Sequence, residues 1–214
     1  MNDIVSINWK RIKRLLPTAR GYAMDRIPTT EEIRKIYDNA DLRGRALTLV
    51  LLSSGIREGA IETLKVSNWS PIRRDNELVA GKLVVYDAEP ERYVTFITTE
   101  AYYAIEKYLE FRRDHGEGLH DKSPLFRDKF DPIKGEIDNS IIEPMTAGAV
   151  RQYYNRLLHS IGLRKDKQRR HQFGVHGFRK AFKTICELEG MKPINVEILM
   201  NHTVGISNSY YPPT

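Results

Sequence analysis

A single β-hairpin in an otherwise helical chain most constrains what this sequence can fold into. Residues 81–98, GKLVVYDAEPERYVTFIT, contain two runs rich in β-branched and aromatic residues on either side of an acidic turn with a proline. This pattern is typical of two antiparallel strands. The segments on both sides repeat apolar residues at helical spacing instead. We therefore expect an α+β fold, mainly helical, with a small antiparallel sheet that contains residues 82–98.

The helical segments carry start and stop signals. Thr29 and Glu32 predict a capping box at the head of IPTTEEIRKIYDNA, and Gly55 ends the apolar segment DLRGRALTLVLLSSG. A shorter helix, REGAIETLKV, is predicted next, and a longer one, EAYYAIEKYLEFRRDHG, follows the hairpin. Residues 117–144 lack periodicity and are predicted to form an irregular connection. Three helices are predicted after it, namely TAGAVRQYYNRLLHSIG, VHGFRKAFKTICELEG and KPINVEILMNHT.

Composition excludes several classes of protein. The 214 residues suffice for one large domain with a real core. The longest apolar run is too short to cross a bilayer, and one cysteine excludes an internal disulfide, so a reducing cytoplasmic location is expected. The six histidines do not form a set of metal ligands at close spacing, so a metal is not expected.

Positive charge is concentrated in one segment. The chain carries a net charge of +6, and residues 151–183 contain ten Lys or Arg against one acid. Such a segment favours a polyanionic partner, although a solvated charged surface is the alternative. The candidate contacts to the phosphates of such a partner are Arg151, Arg156, Lys167, Arg169, Arg170, Lys180 and Lys183.

Four further residues have the chemistry of an oxyanion site. His176 and Arg179 are three residues apart in a predicted helix, so they project from one face, with Phe178, Phe182 and Ile185 expected to pack on the other. A guanidinium offers a planar fork to two phosphate oxygens, and an imidazole donates a hydrogen bond or moves a proton. Arg57 follows the glycine that ends an apolar helix, and His202 ends the last one.

The order of these residues, together with Tyr211 nine residues after His202, resembles the tyrosine recombinase (phage integrase) family. The resemblance extends from about Ile27 to the end of the chain. The stretches SSGIREGA and SYYPPT, with the hairpin, look most like archaeal integrases. The resemblance implies the fold of that family's catalytic domain. Arg57, His176, Arg179 and His202 are then expected to meet in one basic cleft.

The resemblance also implies a mechanism. The hydroxyl of Tyr211 would attack a DNA phosphodiester, forming a 3′-phosphotyrosyl link and a free 5′-hydroxyl, and a second 5′-hydroxyl would reverse the step. Arg57 and Arg179 would clamp the non-bridging oxygens, while His176 and His202 donate hydrogen bonds or move protons. Tyr210 is the alternative nucleophile. No nucleotide cofactor is implied, because the energy of the phosphodiester bond is conserved.

The chain departs from the family's pattern at several positions. The acidic residue three positions after the first arginine is replaced by Ala60, the position after the second arginine is Lys180, and Asn201 stands where glycine is common. The family's catalytic lysine belongs in or beside the hairpin turn, but YDAEPERY contains none. Lys82 is the nearest candidate, and a solvated strand end is the alternative for it.

Organisation and partners are expectations of the same kind. Residues 1–24 are expected to be a linker or remnant and residues 25–214 the catalytic domain, without the family's N-terminal core-binding domain. The expected partners are double-stranded DNA and other recombinase subunits on DNA, with a monomer in isolation and no membrane. Three functions remain open: a site-specific recombinase of a mobile element, a type IB topoisomerase-like enzyme, and a catalytically impaired DNA-binding protein of the same fold.

Overall fold

The computed structural model describes residues 26–130, 142–165 and 173–202. Within those ranges the chain is mainly helical, with one three-stranded antiparallel sheet, so the predicted α+β class is confirmed. The α-helices are α1 (Thr30–Asn39), α2 (Leu42–Ser54), α3 (Thr99–Asp114), α4 (Ala147–Ser160), α5 (Val175–Leu188) and α6 (Pro193–Leu199). The strands are β1 (Trp69–Arg74), β2 (Glu77–Val85) and β3 (Tyr93–Ile97), in that order across the sheet.

The predicted helix boundaries are confirmed where capping side chains define them. Thr29 and Glu32 form the expected capping box at the start of α1, and the Thr146 side chain caps α4. Gly55 ends α2 in the left-handed conformation, with φ 62°. A Cβ at Gly55 would also lie 2.3 Å from a ring carbon of Phe182, so this turn requires glycine for two reasons.

The sheet is larger than the predicted hairpin. Strands β2 and β3 pair as expected, with Lys82 opposite Phe96 and Val85 opposite Tyr93. Strand β1, WSPIRR, was not predicted, because a proline and two arginines weaken its strand pattern. It lies at the edge of the sheet, where a proline is tolerated.

The core centres on α2, which packs against α3, α5 and β3. Leu47, Val50 and Leu51 of α2 are fully buried in it. Two predictions in this region are wrong. The segment after Arg57 is a 3-10 helix, Glu58–Thr63, followed by a second short one, Val66–Asn68. Ile185 does not pack inward but is 50% exposed.

The irregular connection after α3 is partly core. Leu125 and Phe126 are fully buried, although residues 117–130 contain neither helix nor strand. An ion cluster attaches this segment to α3: the Glu117 carboxylate accepts bonds from Nε of Arg112 at 2.9 Å and from a terminal nitrogen of Arg127 at 2.7 Å. All three side chains are fully buried. The remainder of the predicted connection, residues 131–141, lies outside the described residues.

Candidate active site

A cavity of about 390 Å³ lies between the segment after α2, the end of β2, the starts of α4 and α5, and the segment after α6. Four of the residues singled out in the sequence line it, although they come from distant parts of the chain: Arg57, His176, Arg179 and His202. The rest of the lining consists of Ile56, Glu58, Gly59, Tyr86, Ala147 and Val175.

Arg179 is the buried member of the four, with 4% of its surface exposed. One terminal nitrogen donates to the carbonyl of Gly55, and the other donates to the carbonyl of Met200 at 2.6 Å and contacts Nε2 of His202 at 2.8 Å. Of the five N–H groups of a guanidinium, at most two then remain for a ligand, one on Nε and one on a terminal nitrogen. Burial, and after it the charge of Arg57, lowers the pKa of Arg179.

Arg57 is exposed and sits two residues after the left-handed turn at Gly55. A terminal nitrogen of its guanidinium lies 3.4 Å from the carbonyl oxygen of Asn201. Arg179 bonds the carbonyls of Gly55 and Met200. Arg57 follows the first of these turns and contacts Asn201 in the second. The same two turns therefore hold both arginines. Both guanidinium groups can therefore be presented to one anion in the cavity.

His202 follows α6 and bridges two elements. Its Nε2 contacts Arg179 on α5, and its Nδ1 bonds a carboxylate oxygen of Glu197 on α6. The same carboxylate pairs with Lys183. The sequence analysis did not identify Glu197 as a site residue. The only feature that could have indicated it is its position shortly before His202 in the chain.

His176 lies in the first turn of α5, with its side chain exposed. His176 lines the 390 Å³ cavity and also an adjoining cavity of about 540 Å³. Arg151, Gln152 and Arg164 also line that second space. His176 therefore stands at the boundary between the arginine pair and a polar groove along α4.

The hairpin turn is folded onto the segment that carries His202. The side-chain amide of Asn201, a residue with φ 52°, donates to the carbonyl of Glu91 at 3.2 Å. Within the turn, Nε of Arg92 lies 2.8 Å from a carboxylate oxygen of Asp87. These contacts place the end of β2 beside the cavity.

Two tyrosines at the base of this turn were missed by the sequence analysis. Tyr86 lines the cavity and has φ 55°, which is strained for a bulky residue. The hydroxyl of Tyr93 is buried, and burial raises the pKa of Tyr93 to about 12, an effect opposed by the positive charges of Arg179 and Arg57. Their positions at the two ends of the hairpin turn are the only sequence feature that could have indicated them.

Lys82 is not among the residues that line the cavity. It lies inside β2 rather than at its start, with an exposed side chain, opposite Ser70 and Phe96. Tyr86, which does reach the cavity, is four residues further along, or about 13 Å of extended strand. Ala60 is fully buried, and the nearest acid, Glu58, pairs instead with Arg151 at 2.5 Å.

The predicted DNA contacts separate into groups. Arg151 lines the polar groove, whereas Arg156 lines another cavity of about 810 Å³ together with Arg43 and Arg45. Lys180 is half-buried, and Lys183 is paired with Glu197. The other predicted residues lie outside the described part of the chain: Lys167, Arg169, Arg170, Tyr210 and Tyr211.

The residues that the structure describes were also searched for membrane-spanning helices and for metal sites. Their helices are all too short or too polar to cross a membrane. Their His, Cys, Asp and Glu side chains form no group of three or more that could hold a metal ion.

Known structures with this fold were found, although no protein-family model and no curated protein sequence matches the chain. The XerA recombinase superposes with a TM-score of 0.63 at 18% identity, over 94% of this chain and 62% of XerA. XerH recombinase bound to its difH substrate gives 0.58 at 16% identity, over 83% of this chain and 48% of XerH. A lambda integrase tetramer bound to a Holliday junction gives 0.57 at 16% identity, over 90% and 51%.

These likenesses establish the fold. The described residues have the architecture shared by these recombinases and integrases, with helices around a small antiparallel sheet. The chain spans about half to three fifths of the length of those three proteins.

Proposed function

We propose that this protein is a site-specific DNA recombinase that cuts and rejoins DNA through a 3′-phosphotyrosyl intermediate, with residues 25–214 as its catalytic domain. The observation that carries the proposal is the cavity shared by Arg57, His176, Arg179 and His202. Two guanidinium groups and two imidazoles suit a phosphodiester better than an uncharged ligand. The fold shared with recombinases and integrases supports the same conclusion.

In this mechanism the two arginines stabilise the charge that develops on the non-bridging phosphate oxygens. Arg179 is held by two backbone carbonyls and by His202, so its remaining N–H groups are oriented before DNA binds. A donor fixed in advance needs little reorganisation during the reaction, which is the main source of electrostatic catalysis. Arg57 supplies the second guanidinium to the same cavity.

The nucleophile in the proposal is Tyr211. Its oxygen would form the bond to phosphorus as the bond from phosphorus to the 5′-oxygen breaks, and a 5′-hydroxyl would later reverse both changes. Histidine side chains in the cavity would exchange protons with the reacting oxygens. The proposed partners are double-stranded DNA and further subunits on that DNA. The XerH structure contains its difH substrate, and the lambda integrase structure is a tetramer bound to a Holliday junction.

A catalytically impaired DNA-binding protein is the second candidate, and the absence of a lysine at the cavity favours it. The turn from Tyr86 to Tyr93 has no lysine, and Lys82 is not among the described residues that line the cavity. The leaving 5′-oxygen would then lack the proton donor that the resemblance implies. The resemblance to archaeal integrases stays a prediction from the sequence.

A suicide substrate separates the two candidates. In a duplex nicked close to the scissile phosphate, the short fragment that carries the new 5′-hydroxyl diffuses away after cleavage, and the protein stays trapped on the 3′-phosphate. A recombinase accumulates a covalent adduct that survives denaturation, whereas an impaired protein binds the duplex without forming one. Arg57→Ala serves as the negative control, because it removes an exposed guanidinium and no core contact.

A further inference from the structure

Four charged or titratable side chains form a continuous row that ends at the cavity. Lys183 pairs with Glu197, Glu197 bonds Nδ1 of His202, and Nε2 of His202 contacts Arg179 at 2.8 Å. Arg179 and Lys183 are one turn apart on α5, and Glu197 lies on α6. The row therefore ties together two helices as well as four side chains.

The two contacts of His202 define which ring nitrogen carries the hydrogen. An ionised carboxylate only accepts hydrogen bonds, and a guanidinium only donates them. Bonds from Lys183 and then from His202 lower the pKa of Glu197, so this carboxylate is ionised at neutral pH. Nδ1, which faces Glu197, must then carry the hydrogen, and Nε2, which faces Arg179, must be free of it. Both contacts require the same neutral tautomer.

We propose that Glu197 is a positioning residue that keeps His202 in the Nδ1–H tautomer, so that Nε2 stands beside the cavity as a hydrogen-bond acceptor. The tautomer follows from these contacts, whereas its part in strand cleavage rests on the proposed function. In this form Nε2 of His202 accepts the hydrogen bond that holds Arg179 in place, and it cannot donate a hydrogen to a phosphate oxygen. A carboxylate orients the histidine of serine proteases in the same way.

Lys183, predicted from the sequence to contact DNA, has ion-pair partners in the structure. Its ammonium group pairs with Glu197 and lies 3.8 Å from Glu187, one turn further along α5. It thus balances the charge of the carboxylate that orients His202. Glu187 provides a matched control, because it approaches the same lysine but has no described bond to the histidine.

Nitrogen NMR of histidine-labelled protein tests the tautomer directly. Long-range proton–nitrogen spectra distinguish the two neutral forms, and a His202→Gln spectrum assigns the signal. We expect the Nδ1–H form in the wild type and in Glu187→Gln. We expect a mixture or the Nε2–H form in Glu197→Gln, because an amide can donate to Nδ1. An Nε2–H form in the wild type, or an unchanged Glu197→Gln spectrum, overturns the proposal. The wild-type spectrum decides alone if the variant does not fold.

Cleavage of the suicide duplex tests the consequence. Glu197→Gln should slow adduct formation by at least about 10-fold, since the other tautomer turns an N–H toward Arg179 and removes the bond that holds its guanidinium, while the Kd for the duplex stays within about twofold. Glu187→Gln should cleave at the wild-type rate. Equal rates for both variants would overturn the role in cleavage. If the wild type forms no adduct at all, the proposed function fails, and the NMR result still decides the tautomer.

Discussion

The guanidinium of Arg179 lies 2.8 Å from Nε2 of His202, with both groups at the wall of one cavity. The resemblance found in the sequence implied that both residues lie in one cleft, but not that they are in direct contact. The contact makes the arginine depend on the histidine for its orientation. The two arginines of the site have different surroundings, because Arg179 is buried and Arg57 is exposed.

The unequal burial of the two arginines predicts different effects of removing them. Arg57→Ala should lower the rate of adduct formation by about 100-fold or more, because a transition-state donor is lost, with little change in the free energy of unfolding. Arg179→Ala should lower the same rate and also destabilise the protein, because it leaves the carbonyls of Gly55 and Met200 without a donor. Suicide-substrate kinetics and urea unfolding measure the two effects. Equal stability of both variants would contradict the prediction.

Gly55 sets the position of the turn between α2 and Arg57, so its substitution should destabilise the fold. Gly55→Ala forces a side chain into φ 62° and places a Cβ 2.3 Å from the ring of Phe182. We expect a loss of about 1–3 kcal/mol in the free energy of unfolding. Gly59→Ala is the matched control, since no atom lies within 4 Å of its added Cβ. A Gly55→Ala variant as stable as Gly59→Ala would show that the turn adapts.

The buried Glu117 cluster should make stability fall in acid. Burial raises the pKa of Glu117, but the bonds and charges of Arg112 and Arg127 outweigh it and leave the pKa below its ordinary value. A group with a depressed folded pKa contributes stability above its unfolded pKa, about 4.3, and that stability is lost as the pH falls through the folded value.

Glu117→Gln tests this cluster. It should cost about 3–5 kcal/mol at pH 7, because two buried arginines lose their carboxylate, and should lessen the loss of stability below pH 4. The control is Glu110→Gln, an exposed residue on α3, the helix that carries Arg112. Urea unfolding measured from pH 3 to pH 7 gives both quantities. A pH profile unchanged by Glu117→Gln would contradict the assignment.

The excess charge of residues 151–183 predicts salt-dependent DNA binding. The logarithm of the binding constant should fall linearly with the logarithm of salt concentration, with a slope of about −0.9 for each phosphate contacted. Neutralising Arg169 and Arg170 should weaken binding to all sequences alike, as backbone contacts do. Fluorescence anisotropy at several salt concentrations measures the slope. Binding that is independent of salt, or lost for one sequence only, would contradict the prediction.

The sequence predicted the elements better than their contacts. Capping signals such as Thr29 and Gly55 act locally, so the helix ends could be predicted without tertiary structure. Arg57, His176, Arg179 and His202 could be selected from their chemistry and order. Strand β1 could not, because only pairing with β2 stabilises a segment that contains a proline and two arginines.

The residues that support the site depended on tertiary packing. Glu197 carries no motif, and its role follows from the approach of α6 to α5. Tyr86 and Tyr93 reach the arginines because the hairpin turn folds onto Asn201. Lys82 illustrates the opposite case, since the register of β2 places it on a strand segment away from the cavity.

The identity of the nucleophile is the most direct test of the proposed function. The protein is incubated with the suicide duplex, the DNA is digested with nuclease, and the peptide that retains a nucleotide is identified by mass spectrometry. We predict the nucleotide on Tyr211, its loss in Tyr211→Phe with DNA binding intact, and its retention in Tyr210→Phe. A nucleotide on Tyr210 would overturn the assignment of Tyr211. A nucleotide on neither tyrosine, with DNA binding intact, would contradict the proposed recombinase and favour the impaired DNA-binding protein.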